Sequence, residues 1–362
     1  MNDAPIADTP ARKVTLSPAE TVADAARKAI VFGAESLLRN QAAAESGEVE
    51  PLHQLRVATR RLRASVELFS SFIYASQLRI FRRDLPWLGS EAGAVRECDV
   101  TAALIESRAS KIDPDLKDPI APIVAALESR RKLEFAKLCE LLESKRYRSL
   151  LVKLSNPAIK KAGADRRLGV AAAQLIRPAA HGASRFGKRL ADDAPALVFH
   201  KLRVRLKRLR YELEMMAPLG AKRQKKTLRR LEDLQELLGL YHDLTVAKAW
   251  LLSYAETSGA SPRTLLAAGA LIQSLDRRED KLRRRSMKAW RRFERSEIML
   301  DAVEELRQAG KLSLMPVTSP VQAIDARESD SSDQPEIARQ EIPETDSDHI
   351  PDDSHSSAEA NP

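Results

Sequence analysis

Hydrophobic residues recur every three or four positions along most of the 362-residue chain, which is the spacing of one face of an α-helix. Runs of β-branched residues are few, and the chain contains only 13 Gly. Ala, Leu, Arg, Glu and Lys dominate the composition, and these residues favour helices over strands. We therefore expect an all-α protein without a β-sheet.

Pro and Gly interrupt the helical spacing and divide it into two sets of four predicted helices. The first set covers about residues 17–46, 51–75 and 77–100, and a long charged helix from Pro122 to about 154. The second set covers about residues 166–191, 195–216, 222–256 and 262–305. Pro86 is expected to bend the third helix.

The segment Ser17-Pro18-Ala19-Glu20 contains an N-cap residue, a Pro for the first turn and a capping-box Glu, so the first helix is expected to begin there. The residues before it are aperiodic, and the residues after Lys311 are rich in Ser, Asp, Glu and Pro. We therefore predict four regions: a disordered N-terminus (1–16), two four-helix halves (17–160 and 161–309) and a disordered acidic tail (310–362).

The two predicted halves contain the same short pattern, which indicates an internal repeat. At an offset of 147 residues, His53-Gln-Leu55-Arg56-Val57 matches His200-Lys-Leu202-Arg203-Val204, and Arg60-Arg61-Leu62-Arg63 matches Lys207-Arg208-Leu209-Arg210. At an offset of 146, Gly93 to Glu97 matches Gly239 to Asp243, and Arg79 and Arg83 match Lys225 and Arg229. Two pseudo-symmetric halves are the simplest interpretation.

Each copy of the repeat places a row of cations on one helix face and apolar residues on the opposite face. The rows are His53, Arg56, Arg60 and Arg63 in the first copy, and His200, Arg203, Lys207 and Arg210 in the second. A single basic row is usually a solvated surface. A solvated helix face normally mixes acids among its bases, however, whereas neither row contains an acid. The duplicated rows therefore indicate an anion-binding surface.

The charge distribution favours a polyanionic partner. Residues 312–362 contain twelve Asp and Glu against two Arg, so the overall charge of +9 leaves +19 on the preceding residues. Nucleic acid, an anionic membrane and polyphosphate all remain possible partners on charge alone. Arg binds phosphate oxygens through a planar fork, Lys acts as a point charge, and a nearby phosphate would raise the pKa of His53 and His200.

The duplicated H-x-L-R-V pattern, followed by R-R-L-R or K-R-L-R, resembles the conserved-histidine α-helical domain known as CHAD, over about residues 17–300. The resemblance implies two four-helix bundles around a basic central groove or pore that binds inorganic polyphosphate at polyphosphate granules of bacterial cells. The polyphosphate-binding residues that it implies are His53, Arg56, Arg60, Arg63, His200, Arg203, Lys207 and Arg210. The repeat adds four weaker candidates: Arg79, Arg83, Lys225 and Arg229.

Two features depart from the family pattern. Arg96-Glu97 and His242-Asp243 stand where the family often has Arg-Asp, and we expect each acid to be a buried partner that orients a neighbouring Arg. Many members are fused to a triphosphate tunnel (CYTH) domain with an E-x-E-x-K strand, but Glu48-Val-Glu50-Pro51 lacks the Lys and the strand. We therefore expect a stand-alone CHAD protein.

We expect no catalytic residues, cofactor or metal, because the six His do not cluster with acids and Cys98 and Cys139 lack metal-type spacing. Neither a signal peptide nor an apolar stretch long enough to span a membrane is visible, so we expect a soluble cytoplasmic protein with no membrane partner. The oligomeric state stays open.

Two alternative functions also remain open. The first is sequence-nonspecific nucleic-acid binding, which the aromatic content of 4% disfavours because few side chains can stack on bases. The second is a metal- or His-dependent phosphohydrolase that uses His53 and His200. The acidic tail is a further hypothesis, since its charge could compete with polyanions for the basic surface.

Overall fold

The computed structural model describes residues 14–219 and 222–312, and these residues are almost entirely helical. The first half contains α1 (Val22–Ala44), α2 (Val49–Leu68), α3 (Ala75–Ala109), α4 (Ala121–Glu143) and α5 (Lys145–Ser155). The second half contains α6 (Leu168–Gly187), α7 (Ala196–Met215), α8 (Lys222–Thr257), α9 (Pro262–Arg295) and α10 (Ile298–Leu312). Over the described ranges β-pairing is limited to two isolated bridges, Thr21 with Arg167 and Ile73 with Ile159, which confirms the all-α prediction.

The fourth predicted helix of each half is divided in two, so the prediction of four helices per half is wrong. Ser144 has an extended backbone and its side chain accepts a hydrogen bond from the Tyr147 amide, which starts α5. Glu297 has a φ of 48° and separates α9 from α10. The apolar spacing continues across both breaks, and this is why the sequence pattern did not detect them.

The first helix begins four residues later than the sequence predicts. Thr21, not Ser17, is the N-cap, and its side chain accepts a hydrogen bond from the Asp24 amide. The Val22 amide donates to the Arg166 carbonyl oxygen at 3.0 Å, so the preceding residues lie against the second half and do not continue the helix. Leu16 is 1% exposed, which shows that the structured part begins before residue 17.

The other end of the structured part also extends further than predicted, because α10 continues to Leu312. Residues 1–13 of the predicted disordered N-terminus (1–16) and residues 313–362 of the predicted disordered tail (310–362) lie outside the described residues, and so does the hypothesis on the acidic tail. The segment Glu48 to Pro51, which lacks the E-x-E-x-K pattern, forms the N-cap and first turn of α2 and is not a strand.

The hydrophobic core joins the two halves. One cluster of buried residues belongs to the first half, between Ile30 and Leu154. The larger cluster combines the second half with the start of α1 and the end of α3. In addition, α2 packs on α7 and α3 packs on α8. The two helices that carry the cationic rows therefore lie beside each other at the centre of the protein.

No helix in the described part of the chain is long and apolar enough to cross a membrane.

Candidate functional site

Buried leucines fix the orientation of the two central helices. Leu55 and Leu62 of α2 are 0% exposed, and so are Leu202 and Leu206 of α7. Because these residues alternate with the cations at helical spacing, burial of the leucines directs the cations to the opposite face. The six residues at the centre of the two rows are referred to below as the central basic cluster: His53, Arg56, Arg60, His200, Arg203 and Lys207.

The structure brings the cations of both halves close enough to interact electrostatically. Burial, followed by the charges of Arg60 and Arg203, lowers the pKa of Arg56 to about 10. Burial also lowers the pKa of Arg203, and Arg60 of the other half acts in the same direction. These cross effects mean that the two rows form one positively charged region.

Burial and the neighbouring cations together also act on Lys207. Burial, followed by the charges of Arg203 and Arg60, lowers its pKa to about 6. In the part of the chain that the structure describes, no residue of the central basic cluster forms an ion pair. The Nε atom of Arg203 is buried without a hydrogen-bond partner. A bound anion would supply the missing charge and the missing acceptors.

Two glycines make room for the matching arginines. A Cβ on Gly93 of α3 would lie 2.9 Å from Nη1 of Arg56, closer than side chains tolerate. Arg56 Nη1 donates to the Ala92 carbonyl oxygen at 3.4 Å beside it. In the second half, a Cβ on Gly239 of α8 would lie 3.8 Å from Nε of Arg203, an ordinary contact distance. Arg56 and Arg203 therefore each pack against a Gly of the following helix, and the contact is closer in the first half.

Burial disfavours the charged form of the histidines in the central basic cluster. Burial lowers the pKa of His53 and of His200, and neighbouring cations act in the same direction. His242 of α8 lies beside His200, with 3.3 Å between the two Nδ1 atoms. Burial, together with Arg203 and His200, lowers the pKa of His242 to about 3. Since one ring must donate and the other accept, this contact requires at least one neutral histidine.

The two acids of the repeat have different surroundings. Asp243 is half-buried near Arg203 and Lys207, and burial raises its pKa although both cations oppose the rise. The expectation that Glu97 is a buried partner is wrong, because its side chain is 41% exposed and lies 3.5 Å from Arg130. The buried acid of this segment is Asp99, which is 5% exposed and pairs with Arg131 at 2.6 Å and with Arg96 at 3.8 Å.

The outer ends of the two rows are less similar. Arg210 is paired with Glu214 of its own helix at 3.2 Å and with Glu232 at 3.9 Å. Arg63 reaches the surface, and partial burial, followed by the charge of Arg60, lowers its pKa. Arg210 therefore already has carboxylate partners, whereas Arg63 extends the region of unpaired charge.

The four weaker candidates lie on exposed positions. Arg83 forms a two-bond ion pair with Asp84, at 2.7 and 2.9 Å, and Arg146 contacts the same carboxylate. Arg79, Lys225 and Arg229 are exposed. The structure does not bring Arg83 into contact with the central basic cluster, and a binding role for these four residues stays a prediction.

Three residues beside the central basic cluster were not among the binding residues predicted from the sequence: Arg96, His242 and Asp243. Arg96 lowers the pKa of Arg56, and His242 contacts His200. The repeat contained the necessary signal, since Arg96 and His242 occupy matching positions three residues after Gly93 and Gly239. Among the described residues, no group of three or more His, Cys, Asp or Glu side chains could hold a metal ion.

Comparison with known proteins identifies related structures. At 25% sequence identity, the crystal structure of the CHAD domain from the plant Ricinus communis is similar over 77% of this chain and 94% of that chain, with a TM-score of 0.64. PptA from Streptomyces chartreusis has the same fold, with 18% identity, a TM-score of 0.61, and coverage of 75% of this chain and 100% of that chain.

No curated protein sequence matches the chain. The profile of the CHAD domain matches residues 32–252, which include both cationic rows and more than half of the chain. The duplicated H-x-L-R-V helices, their position at the centre of the fold and this match lead to one conclusion: the chain belongs to the CHAD domain family.

Proposed function

We propose that this protein binds inorganic polyphosphate through the central basic cluster. One observation carries the proposal: Arg56, Arg60, Arg203 and Lys207 of two different halves converge without an ion pair to any described residue. Keeping like charges together is unfavourable in the free protein, because each lowers the pKa of its neighbours. A polyanion would reverse that cost, and the polyphosphate association implied by the CHAD resemblance supports this choice.

A chain of phosphates fits the cluster better than a single small anion does. Successive cations on each row are separated by three or four residues, which places neighbouring side chains about 5–6 Å apart. Arg56 and Arg203 can each donate two hydrogen bonds to phosphate oxygens, while Lys207 gains its charge when an anion approaches. Because the rows come from both halves, one extended chain can contact both.

We further propose that the bound chain is held without being cleaved. The cluster consists of cations and histidines whose ordinary role with phosphate is charge neutralisation and hydrogen bonding. The His200–His242 contact is the feature that would favour hydrolysis instead, since a neutral histidine can act as a base. Incubation of long-chain polyphosphate with the protein should release no orthophosphate above a buffer control, and release that His200→Ala abolishes would contradict this part of the proposal.

In the cell, a protein with this property is expected at polyphosphate granules. A fluorescent fusion should colocalise with the granules, and replacing Arg56 and Arg203 should disperse it. A fusion that stays on the nucleoid would instead support nucleic-acid binding.

Competition between polyphosphate and double-stranded DNA tests the choice of ligand. Both polyanions are titrated against the full-length protein at equal phosphate concentration and physiological salt, because salt alone changes DNA affinity greatly. The proposal predicts tighter binding of polyphosphate, since one extended phosphate chain can contact the cations of both halves at once. Equal or tighter binding of DNA would overturn it in favour of the nucleic-acid alternative.

A further inference from the structure

A second basic concavity lies between the end of α3, the turn that follows it, and α9. It has a volume of about 750 Å³. Asp113 is the acid among the residues that line it. Six cations also line it: Arg108, Lys111, Arg277, Arg278, Lys281 and Arg285. This concavity is called the α3–α9 cleft below, and it contains no member of the central basic cluster.

Two acids of helix α9 lie on a different face from the cations that line the cleft. Asp276 and Glu279 both contact Lys248 of α8, so these acids are directed away from the cleft. Arg277, Lys281 and Arg285 follow one another at four-residue spacing and line the cleft. Within residues 14–219 and 222–312, none of the six lining cations forms an ion pair. The cleft face therefore carries positive charge that the protein does not neutralise.

Arg108 provides the independent sign of a ligand. The residue is 7% exposed, and its Nε atom is buried without a hydrogen-bond partner. The hydrogen bond that its guanidinium does make is long, 3.5 Å from Nη2 to the Ser107 hydroxyl. Burial of a guanidinium without an anionic partner is costly, so the arrangement indicates an anion that comes from outside the chain.

The cleft is also electrostatically separate from the central basic cluster. Burial lowers the pKa of Arg108, and Arg278 of the cleft is the charge that contributes to the shift. The pKa values of Arg203 and Lys207, in contrast, both respond to Arg60, and that of Lys207 also responds to Arg203. An anion in the cleft would therefore be bound by its own set of cations.

We propose that the α3–α9 cleft is a second phosphate site that binds inorganic oligophosphate. The proposal rests on the proposed function for the class of ligand, and it extends that function to a surface that the duplicated motif does not include. Unpaired guanidinium groups favour phosphate oxygens through bidentate hydrogen bonds. The ligand is either a separate short chain or the far end of a long chain held at the central basic cluster.

Tripolyphosphate is the probe for the cleft, and calorimetry gives its stoichiometry on the full-length protein. The cleft variant is Arg278→Gln with Lys281→Gln and Arg285→Gln. The central variant is Arg56→Gln with Arg203→Gln. A matched control removes three exposed charges that belong to neither surface, by Lys132→Gln, Lys145→Gln and Arg148→Gln.

We expect about two tripolyphosphates per wild-type chain and per control chain, and about one for either the cleft or the central variant. A cleft variant that keeps the wild-type stoichiometry and affinity overturns the inference. Long-chain polyphosphate then separates the two ligand sources. About tenfold weaker binding by the cleft variant means that one long chain reaches the cleft, whereas unchanged binding means that the cleft holds a separate short chain. Both results require the loss of one tripolyphosphate site.

A different result would contradict the proposed function. If the central variant binds long-chain polyphosphate as the wild type does, the proposed function is wrong, whatever the cleft variant shows. If the central variant loses long-chain binding but the cleft substitutions leave tripolyphosphate binding unchanged, only the second site is wrong.

Arg108→Leu provides a second test that does not depend on stoichiometry. If the buried charge serves a ligand, Leu should leave the thermal midpoint of the free protein equal or higher and should reduce the midpoint increase caused by tripolyphosphate. A lower midpoint of the free protein with an unchanged tripolyphosphate effect would show that Arg108 is structural, and would overturn the inference.

Discussion

Arg208 of α7 lies 3.8 Å from Glu67 of α2, and the matching residues Arg61 and Glu214 are also 3.8 Å apart. Both residue pairs are related by the 147-residue offset of the repeat. The contacts are therefore reciprocal, as at an interface between two copies related by a two-fold axis. Both contacts lie between α2 and α7, the helices that carry the two cationic rows.

The reciprocity predicts equal coupling in the two ion pairs. Double-mutant cycles on Arg208 with Glu67 and on Arg61 with Glu214 should each give about 1 kcal/mol or less, because these pairs are partly exposed. Urea unfolding of the single and double Gln variants measures both values. A clear coupling in one pair and none in the other would contradict the reciprocal arrangement.

Gly93 is predicted to be required for the position of Arg56. In Gly93→Ala the new methyl group would displace the guanidinium, and polyphosphate affinity should fall about two- to tenfold while the fold is kept, because a flexible side chain can move. Gly239→Ala is the matched control, since its Cβ fits beside Arg203. Calorimetry of both variants is the measurement, and equal losses would show that steric crowding at Arg56 is not the cause.

Polyphosphate binding is predicted to take up protons. The pKa of Lys207 is about 6 in the free protein, so the side chain is mostly neutral at pH 7.5, and a bound polyanion would raise that pKa. The affinity for polyphosphate should therefore increase as the pH falls from about 9 towards 6. Below pH 6 the contribution of Lys207 to this increase should level off. Calorimetry in buffers of different ionisation enthalpy should give about one proton taken up at pH 7.5.

Lys207→Gln should remove most of that uptake, whereas Lys201→Gln, at an exposed position of the same helix, should keep it. Wild-type binding without proton uptake would mean that Lys207 is already charged or does not meet the ligand.

Asp84 is predicted to stabilise the fold without contributing to binding. Its carboxylate is 2% exposed and accepts hydrogen bonds from Arg83 and Arg146, and the hydrogen bond from Arg83 is the main influence that lowers its pKa. Asp84→Asn should reduce the free energy of unfolding by about 1–2 kcal/mol at pH 7.

Because the pKa of Asp84 is lowered in the folded state, this contribution is present above the ordinary pKa of about 4 and is lost as the pH falls below it. The difference between wild type and Asp84→Asn should therefore shrink between pH 4 and pH 2. A difference that does not depend on pH, or a large loss of polyphosphate affinity at pH 7, would contradict this role.

The sequence was sufficient for the parts of the site that follow from local periodicity. The positions of Leu55 and Leu202 on apolar stripes determine which way Arg56 and Arg203 face, and the duplication identifies the same positions twice. Contacts between distant elements were not accessible in this way. Glu97 and Asp99 are both acids near Arg96, and only the packing of α4 shows that Asp99 is the buried one.

The α3–α9 cleft was missed for the same reason. Arg108 and Arg278 are 170 residues apart in the sequence, and neither belongs to the duplicated motif. The break at Ser144 depends on a side-chain cap that competes with a continuing helical pattern, so periodicity alone could not locate it.

Calorimetric titration with long-chain polyphosphate at physiological salt measures directly whether the central basic cluster is the polyphosphate site. The proteins are the wild type, Arg56→Gln with Arg203→Gln, and a control with the same charge change at two exposed positions, Arg148→Gln with Arg177→Gln. We expect the first double variant to bind about a hundredfold more weakly, since two charged hydrogen-bonding groups are lost, and the control to change by about twofold. Equal affinity of the two double variants would contradict the claim that the central basic cluster is the polyphosphate site.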